Sequence, residues 1–224
     1  MNAPDAPLVF RDVGHVAGGR RVLDRVTLVV NAGDRTAVVG ANGSGKSTIA
    51  RLAIGLAEPV SGRVSLFGAD LAVASAQAAR RLRGRVGLVL QGGSLLSELT
   101  VEENLRLGVG ATTRRGLTRL RPRIDRILLA FSLEGVSLRP VEALSTGERR
   151  RLELARAFLR DPDLLILDDP FEGLDAAAAA ELERRVLALL GRHSCACLIL
   201  TGDGALARRM AARVLILAGG VLTG

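Results

Sequence analysis

Short apolar runs separated by turn residues open the chain, and helical periods dominate its middle. From Leu8 to Val30 the runs are broken at Gly18-Gly19 and Asn31-Ala32-Gly33-Asp34, a spacing that predicts antiparallel strands. Thr36 to Val39 reads as a buried strand running into a Gly-rich turn, and Ser47 to Leu56 as the helix after it. Val60 to Phe67 and Val86 to Leu90 predict two more strands, with an Ala-rich helix over Leu71 to Leu82 between them. From residue 92 to residue 160 the pattern turns helical, polar and Arg-rich, with breaks expected at Gly108 to Gly116, Pro122 and Pro140. Leu164 to Leu167 is a continuous apolar run, as expected for a parallel strand covered on both faces. Ala176 to Leu190 and Ala205 to Ala212 predict helices, flanking and following a strand over Cys195 to Leu200, and Val214 to Leu217 predicts the last strand. The pattern therefore gives one α/β domain. Its parts are a core of mostly parallel sheet from residues 1–91 and 161–224, with an N-terminal antiparallel lobe, and an inserted helical lobe at 92–160.

Composition narrows the possibilities. With 224 residues, 48% of them hydrophobic, the chain can bury a sizeable core. The net charge is +8, yet 30 of the 31 basic side chains are arginine and only one is lysine. Such a balance suits nucleic acid, anionic lipid or phosphorylated ligands. There is no Trp or Tyr and only five Phe, so the stacking platforms that single-stranded nucleic acids need are missing, and no nucleic-acid partner is expected. The arginines at 80–85, 114–126 and 149–151 read as solvated helix faces. Cys195 and Cys197 alternate in an apolar run and should share one face of a buried strand. Every apolar run is interrupted before the roughly 18 residues needed to cross a bilayer, and the opening MNAPDAPLVF lacks a signal-peptide layout. The expectation is a cytosolic chain.

Chemistry concentrates at the sole lysine. Gly40-Ala41-Asn42-Gly43-Ser44-Gly45-Lys46-Ser47-Thr48 fits the phosphate-loop spacing between a strand and a helix. Glycines let backbone N–H groups turn toward phosphate oxygens, and the helix N-terminus adds partial positive charge. Lys46 can then reach the terminal phosphates and Ser47 can ligate magnesium. Lysine at this point in an arginine-rich chain suggests a need for a compact ammonium on a flexible stem. Asp168 ends the apolar strand, where a carboxylate can hold magnesium directly or through water. Ser145 and Glu148 have capping-box spacing at the start of a helix.

Taken in order, the phosphate loop, Gln91 at a strand end, Leu144-Ser145-Thr146-Gly147-Glu148 and the stretch LLILDDPFEGLD resemble the ATP-binding cassette (ABC) ATPases over nearly the whole chain. That resemblance implies a P-loop NTPase (RecA-like) core, with ATP and Mg2+ as ligands held at Gly40, Asn42, Gly43, Ser44, Gly45, Lys46, Ser47 and Thr48. By the same resemblance the metal meets Ser47, Gln91 and Asp168, while Asp169, Lys46 and Gln91 form the catalytic group. Two such domains pair head to tail, so Ser145 and Gly147 are implied to contact the γ-phosphate held by a second ABC ATPase subunit, in a homodimer or heterodimer. Asp175 is implied to lie in the loop between the two sites. The implied role is to power a separate integral membrane permease from the cytoplasmic face of the inner or plasma membrane. Gly87 to Leu96 and Asp169 to Leu174 are further similar to ATPases of MCE-type (Mla-like) phospholipid transporters, which would add an MCE-type lipid-binding protein as partner. A soluble ABC protein of translation or DNA repair, and an ATP-sensing regulatory subunit, are the alternatives.

The chain departs from the family at three positions. Asp169 stands where the family carries the Glu taken as base for the attacking water. Gly202, in Thr201-Gly202-Asp203, stands at the place of the switch histidine, and neither His15 nor His193 replaces it. The segment from Val13 to Gly19, where an adenine-stacking aromatic belongs, offers only His15, Val16 and Ala17. Together these imply a site that holds ATP and hydrolyses it slowly.

Overall fold

The structure is a computed structural model that describes residues 6–109, 114–191 and 194–224. The break expected at Gly108 to Gly116 falls partly outside these residues, and His193 wholly so.

Two sheets form the architecture. β1 (Leu8–Ala17), β2 (Arg20–Val30), β4 (Ser61–Leu66) and β5 (Ala69–Asp70) make a four-stranded antiparallel sheet in the order β2-β1-β4-β5. β3 (Arg35–Val39), β6 (Val86–Val89), β7 (Leu164–Asp168), β8 (Ala196–Thr201), β9 (Arg213–Ala218) and β10 (Val221–Thr223) make the second, ordered β10-β9-β3-β8-β7-β6. All its pairings are parallel except β9 with β10, which closes one edge as a hairpin.

Strand alternation splits the core into two layers. Leu165, Leu167, Cys197 and Ile199 face one side, packing with α5 (Thr146–Phe158), α6 (Ala176–Leu190) and α7 (Gly204–Met210). Leu164, Ile166, Ala196, Leu198 and Leu200 face the other, against α1 (Lys46–Ala53) and the antiparallel sheet, where Phe10, Leu28 and Ile49 are fully buried. Both faces being covered explains why β7 and β8 read as unbroken apolar runs. Cys195 and Cys197 do share a face, and burial pushes the Cys195 thiol up to about 12, so neither is a nucleophile at neutral pH.

Between β6 and β7 the chain forms α3 (Val101–Val109), α4 (Arg114–Ala130) and α5. Pro122 does not break this region as its sequence suggests, because α4 runs through it. An internal proline costs a helix about 3 kcal/mol. Leu120, Ile124 and Leu128 are buried on one face of α4, and that burial offsets the loss. The Ala-rich helix α2 (Ala76–Arg83) begins later than its composition suggests, at Ser75, whose hydroxyl accepts from the Ala78 N–H. The short strands β5 and β10 have no sequence signal of their own.

Many of the arginines are ion-paired. Arg85 pairs with Asp163 at 2.6 Å and lies 3.8 Å over the Phe67 ring, Arg123 pairs with Asp161, and Arg121 with Asp125. Buried Glu102 gathers Arg106, Arg121 and the Ser137 hydroxyl, tying α3 to α4. Buried Asn104 accepts from the Leu96 N–H at 2.8 Å and donates back to the Leu96 carbonyl at 3.0 Å, so the loop after Gln91 is anchored to α3. The parallel strands β3, β6, β7 and β8 all end at one edge, and the chemistry-bearing residues lie there.

Candidate functional site

The loop leaving β3 is built for close approach. A Cβ at Gly40 would lie 2.5 Å from Ser44 Oγ and 2.7 Å from the Leu217 carbonyl, and Gly43 and Gly45 take φ of +79° and +108°. Only glycine meets these demands without strain. α1 then starts with Gly45 as its N-cap and no side chain capping it, whereas Ser75, Ser145, Asp175 and Asp203 cap α2, α5, α6 and α7. The first-turn N–H groups of α1 therefore keep their donor capacity and partial positive charge for an anion. Lys46 is only 5% exposed, and its ammonium donates to the Gly40 carbonyl at 2.8 Å and the Ala41 carbonyl at 3.2 Å. Asn42, Gly43, Gly45, Lys46, Ser47, Thr48 and Gln91 line one cavity with Val22, a strand residue that carries no sequence signal for a site.

Beside this loop the side chains suit a hard cation. Ser47 Oγ donates to Gln91 Oε1 at 3.3 Å. Asp168 is fully buried, and neither of its carboxylate oxygens has a hydrogen-bond partner. Burial pushes its carboxyl up, the nearby Ser47 hydroxyl and Gln91 backbone N–H pull it partly back without closing a hydrogen bond to it, and the charge of Asp169 raises it again. An unpartnered buried carboxylate is costly, and a divalent cation neutralises it. Among the described residues no three His, Cys, Asp or Glu side chains converge on a common point, so the donor set is a hydroxyl, an amide oxygen and one carboxylate. That all-oxygen set fits Mg2+, which keeps waters and takes phosphate oxygens for its other positions.

Asp169 differs sharply from its neighbour. It adopts φ of +43°, its N–H donates to the Leu200 carbonyl at 2.8 Å, and its Oδ1 accepts from the Gly202 N–H at 3.2 Å. Its Oδ2 lies 3.9 Å from Lys46 Nζ. One oxygen is thus held by backbone at the end of β8 and the other faces the ammonium. At Gly202 a Cβ would meet only the Gly40 carbonyl at 3.6 Å and Asn42 Oδ1 at 3.9 Å, so the position has room for a side chain.

The segment at the start of α5 is closed instead of open. Ser145 Oγ accepts from the Glu148 N–H at 3.2 Å and donates to Glu148 Oε2 at 2.8 Å, and that same oxygen accepts from the Ser145 N–H. These bonds hold the Glu148 carboxyl below the usual range, and Arg139 adds to the effect from 3.5 Å. Gly147 faces open space, and Thr146 approaches Gly173 in the turn after β7. Neither Ser145 nor Gly147 lines the phosphate-loop cavity of its own chain. Asp175 accepts from the Ala177 and Ala178 N–H groups as the N-cap of α6. His15 is held against the Glu58 carbonyl at 3.0 Å.

Two further groups escaped sequence reasoning. Glu172 faces the Gln91 side-chain amide, and Glu153 with Arg156 on α5 clamps the loop after Gln91: Glu153 accepts from the Ser94 N–H at 3.3 Å, and Arg156 donates to the Ser94 carbonyl at 2.8 Å. Such contacts join segments about 60 to 80 residues apart, which no local pattern encodes.

Residues 23–172 match the model of the ABC transporter family. The chain is 35% identical over 211 residues to the phosphonates import ATP-binding protein PhnC of Alcaligenes faecalis, covering 91% of this chain and 76% of that one. It is 34% identical over 204 residues to the zinc import ATP-binding protein ZnuC of Pseudomonas savastanoi pv. phaseolicola, covering 89% and 68%. Its structure superposes with a TM-score of 0.84 and 25% identity on cbiO1 from Clostridium perfringens, part of the ABC transporter complex cbiONQ, over 98% of this chain and 88% of that one. A phosphate loop on an open helix end, an orphaned carboxylate beside it and these matches agree: the chain belongs to the ABC transporter family, as one of its ATP-binding domains.

Proposed function

We propose that this chain is the ATP-binding subunit of a transporter with a separate membrane permease, and that its own site holds Mg2+-ATP well and hydrolyses it slowly. The observation that carries this reading is the contrast at the end of β7. Asp168 is buried and unpartnered, waiting for a cation, while Asp169 is tied to the Gly202 N–H and the Lys46 ammonium.

Each residue has a role in this reading. The α1 N–H groups and Lys46 bind and neutralise phosphate oxygens, while the glycines bring the backbone close. When ATP enters, Lys46 exchanges its two loop carbonyls for phosphate oxygens, a stronger charge-assisted pairing. Ser47, Gln91 and Asp168 hold Mg2+, which supplies charge neutralisation along the phosphates. Asp169 takes the proton of the attacking water, but its carboxylate sits one methylene further back than the family's Glu and already accepts from Gly202. General-base positioning is worth about 10²- to 10⁴-fold, so a sizeable part of the rate is lost here. Gly202 offers no side chain to the γ-phosphate.

Ser145 and Gly147 lie away from their own cavity, which supports their use toward the nucleotide of a second ABC ATPase subunit, identical or different. A heterodimer with a fully competent partner makes sense of a slow site. Among the described residues no helix is long and apolar enough to cross a membrane, so the reading places the chain on the cytoplasmic face through its permease. The loops around Gln91 and Phe171 support phospholipid cargo with an MCE-type lipid-binding protein, whereas relatives are named for phosphonate and zinc import. The test is to purify the chain with its genomic-neighbour membrane proteins in nanodiscs, then measure turnover and identify retained lipid by mass spectrometry. Slow turnover that Asp169→Glu with Gly202→His accelerates supports the site reading. Retained phospholipid supports the cargo, and its absence beside another bound solute contradicts it.

A further inference from the structure

Glu172 has no part in the phosphate and metal contacts described so far, yet it lies next to them. Its Oε2 and Oε1 accept from Gln91 Nε2 at 3.2 and 3.4 Å, while Gln91 Oε1 meets Ser47 Oγ at 3.3 Å. The two ends of an amide have opposite chemistry, since the NH2 donates and the oxygen accepts. An ionised carboxylate only accepts, so the end of Gln91 that faces Glu172 has to be the NH2. The oxygen is thereby turned to Ser47. Ser47 by itself does not fix that choice, because a hydroxyl serves an amide oxygen or an amide NH2 equally well. Only the oxygen end can approach a cation.

The surroundings hold both partners in place. The turn carrying Glu172 is closed by its N–H on the Asp169 carbonyl and pinned by buried Phe171. Gln91 is followed by a turn in which the Gly93 N–H donates to the Leu90 carbonyl, and a Cβ at Gly93 would lie 2.5 Å from Glu153 Oε1. Glu172 is exposed, and the side-chain group its carboxylate meets is the Gln91 amide.

We propose that Glu172 is a positioning residue: it holds the Gln91 side chain with its oxygen toward the magnesium position, so that Mg2+-ATP meets an amide already oriented to ligate. This rests on the reading of Ser47, Gln91 and Asp168 as the magnesium-holding residues. Outer partners of metal ligands fix which atom is presented, and their loss costs metal affinity about tenfold or more.

The experiment measures binding of a fluorescent ATP analogue to the purified chain, titrated with Mg2+ or made in EDTA, for the parent, Glu172→Gln, Glu172→Ala, Gln91→Ala and Gln91→Ala/Glu172→Gln. Glu172→Ala is expected to raise the Mg2+ concentration for half-maximal enhancement about tenfold, and Glu172→Gln, whose amide oxygen can still accept from Gln91, by less, with affinity in EDTA unchanged. In the Gln91→Ala background, Glu172→Gln is expected to add nothing. A shift below twofold in both Glu172 variants, or one that persists undiminished without Gln91, overturns the proposal. If Gln91→Ala itself leaves the Mg2+ dependence unaltered, the magnesium reading of Gln91 fails first and the proposal with it. A shift for Gln91→Ala without one for Glu172 removes the proposal alone.

Discussion

The N-termini of α1 and α5 stand in the same fold and are both expected to meet phosphate, yet they are finished in opposite ways. At α1 no side chain caps the helix and glycine occupies the N-cap at φ +108°. At α5 Ser145 and Glu148 form a complete capping box, with the serine hydroxyl already donating to a carboxylate. The open end is ready for an anion by itself. The closed end gives the helix stability of its own, and Ser145 has to exchange a bond with Glu148 before it can donate to a phosphate. The difference suggests that binding at the chain's own loop comes first, and that the α5 end engages only when a second subunit presents a nucleotide.

Breaking the open end should have the largest effect. Lys46→Ala is expected to lower ATP affinity at least a hundredfold by calorimetric titration, since it removes the buried cation that faces the phosphates. The chain should remain folded, because in the free state the ammonium meets two loop carbonyls and the Asp169 carboxylate at 3.9 Å and takes no part in the apolar core. Next comes the hydrolytic side. Asp169→Glu with Gly202→His is expected to raise turnover about ten- to a hundredfold, because the general base regains its reach and Gly202 has room for a side chain. Unchanged turnover in a folded, ATP-binding double variant would remove Asp169 and Gly202 as the cause of slowness.

What the amino-acid sequence encodes locally follows the same divide. Gly40 to Thr48 was legible because a phosphate loop encodes its conformation locally, in glycine spacing followed by a helix. Asp168 was legible because β7 is apolar on both faces and then stops. The unbroken course of α4 through Pro122 was hidden, since Leu120, Ile124 and Leu128 decide it by tertiary packing that outweighs a local propensity. Glu172 and Val22 were hidden for a related reason. Glu172 reaches Gln91 because β7 pairs with β6, and Val22 reaches the phosphate loop from β2 in the other sheet, and neither adjacency is written in a local pattern.

Smaller effects sharpen the comparison. Ser145→Ala is expected to cost about 1 kcal/mol in thermal unfolding through the lost cap, with no change in ATP affinity of the isolated chain, whereas Gly45→Ala costs both stability and affinity. Asp168→Asn separates stability from function. Its folded carboxyl is raised above 3.8, so the folded state binds the proton more tightly than the unfolded one, and the carboxylate's cost is fully present above the folded value and vanishes below 3.8. The variant should therefore be more stable at pH 7 without Mg2+, with the gain lost as pH falls toward 3.8, and it should lose the Mg2+ enhancement of ATP binding.

The central claim is that this site is better equipped to hold ATP than to cleave it. Single-turnover hydrolysis of saturating Mg2+-ATP by the chain alone, run alongside its ATP affinity, tests that directly. The account predicts firm, Lys46-dependent binding with a rate constant well below about 1 s⁻¹. Hydrolysis near the enzyme median of about 10 s⁻¹ would contradict it.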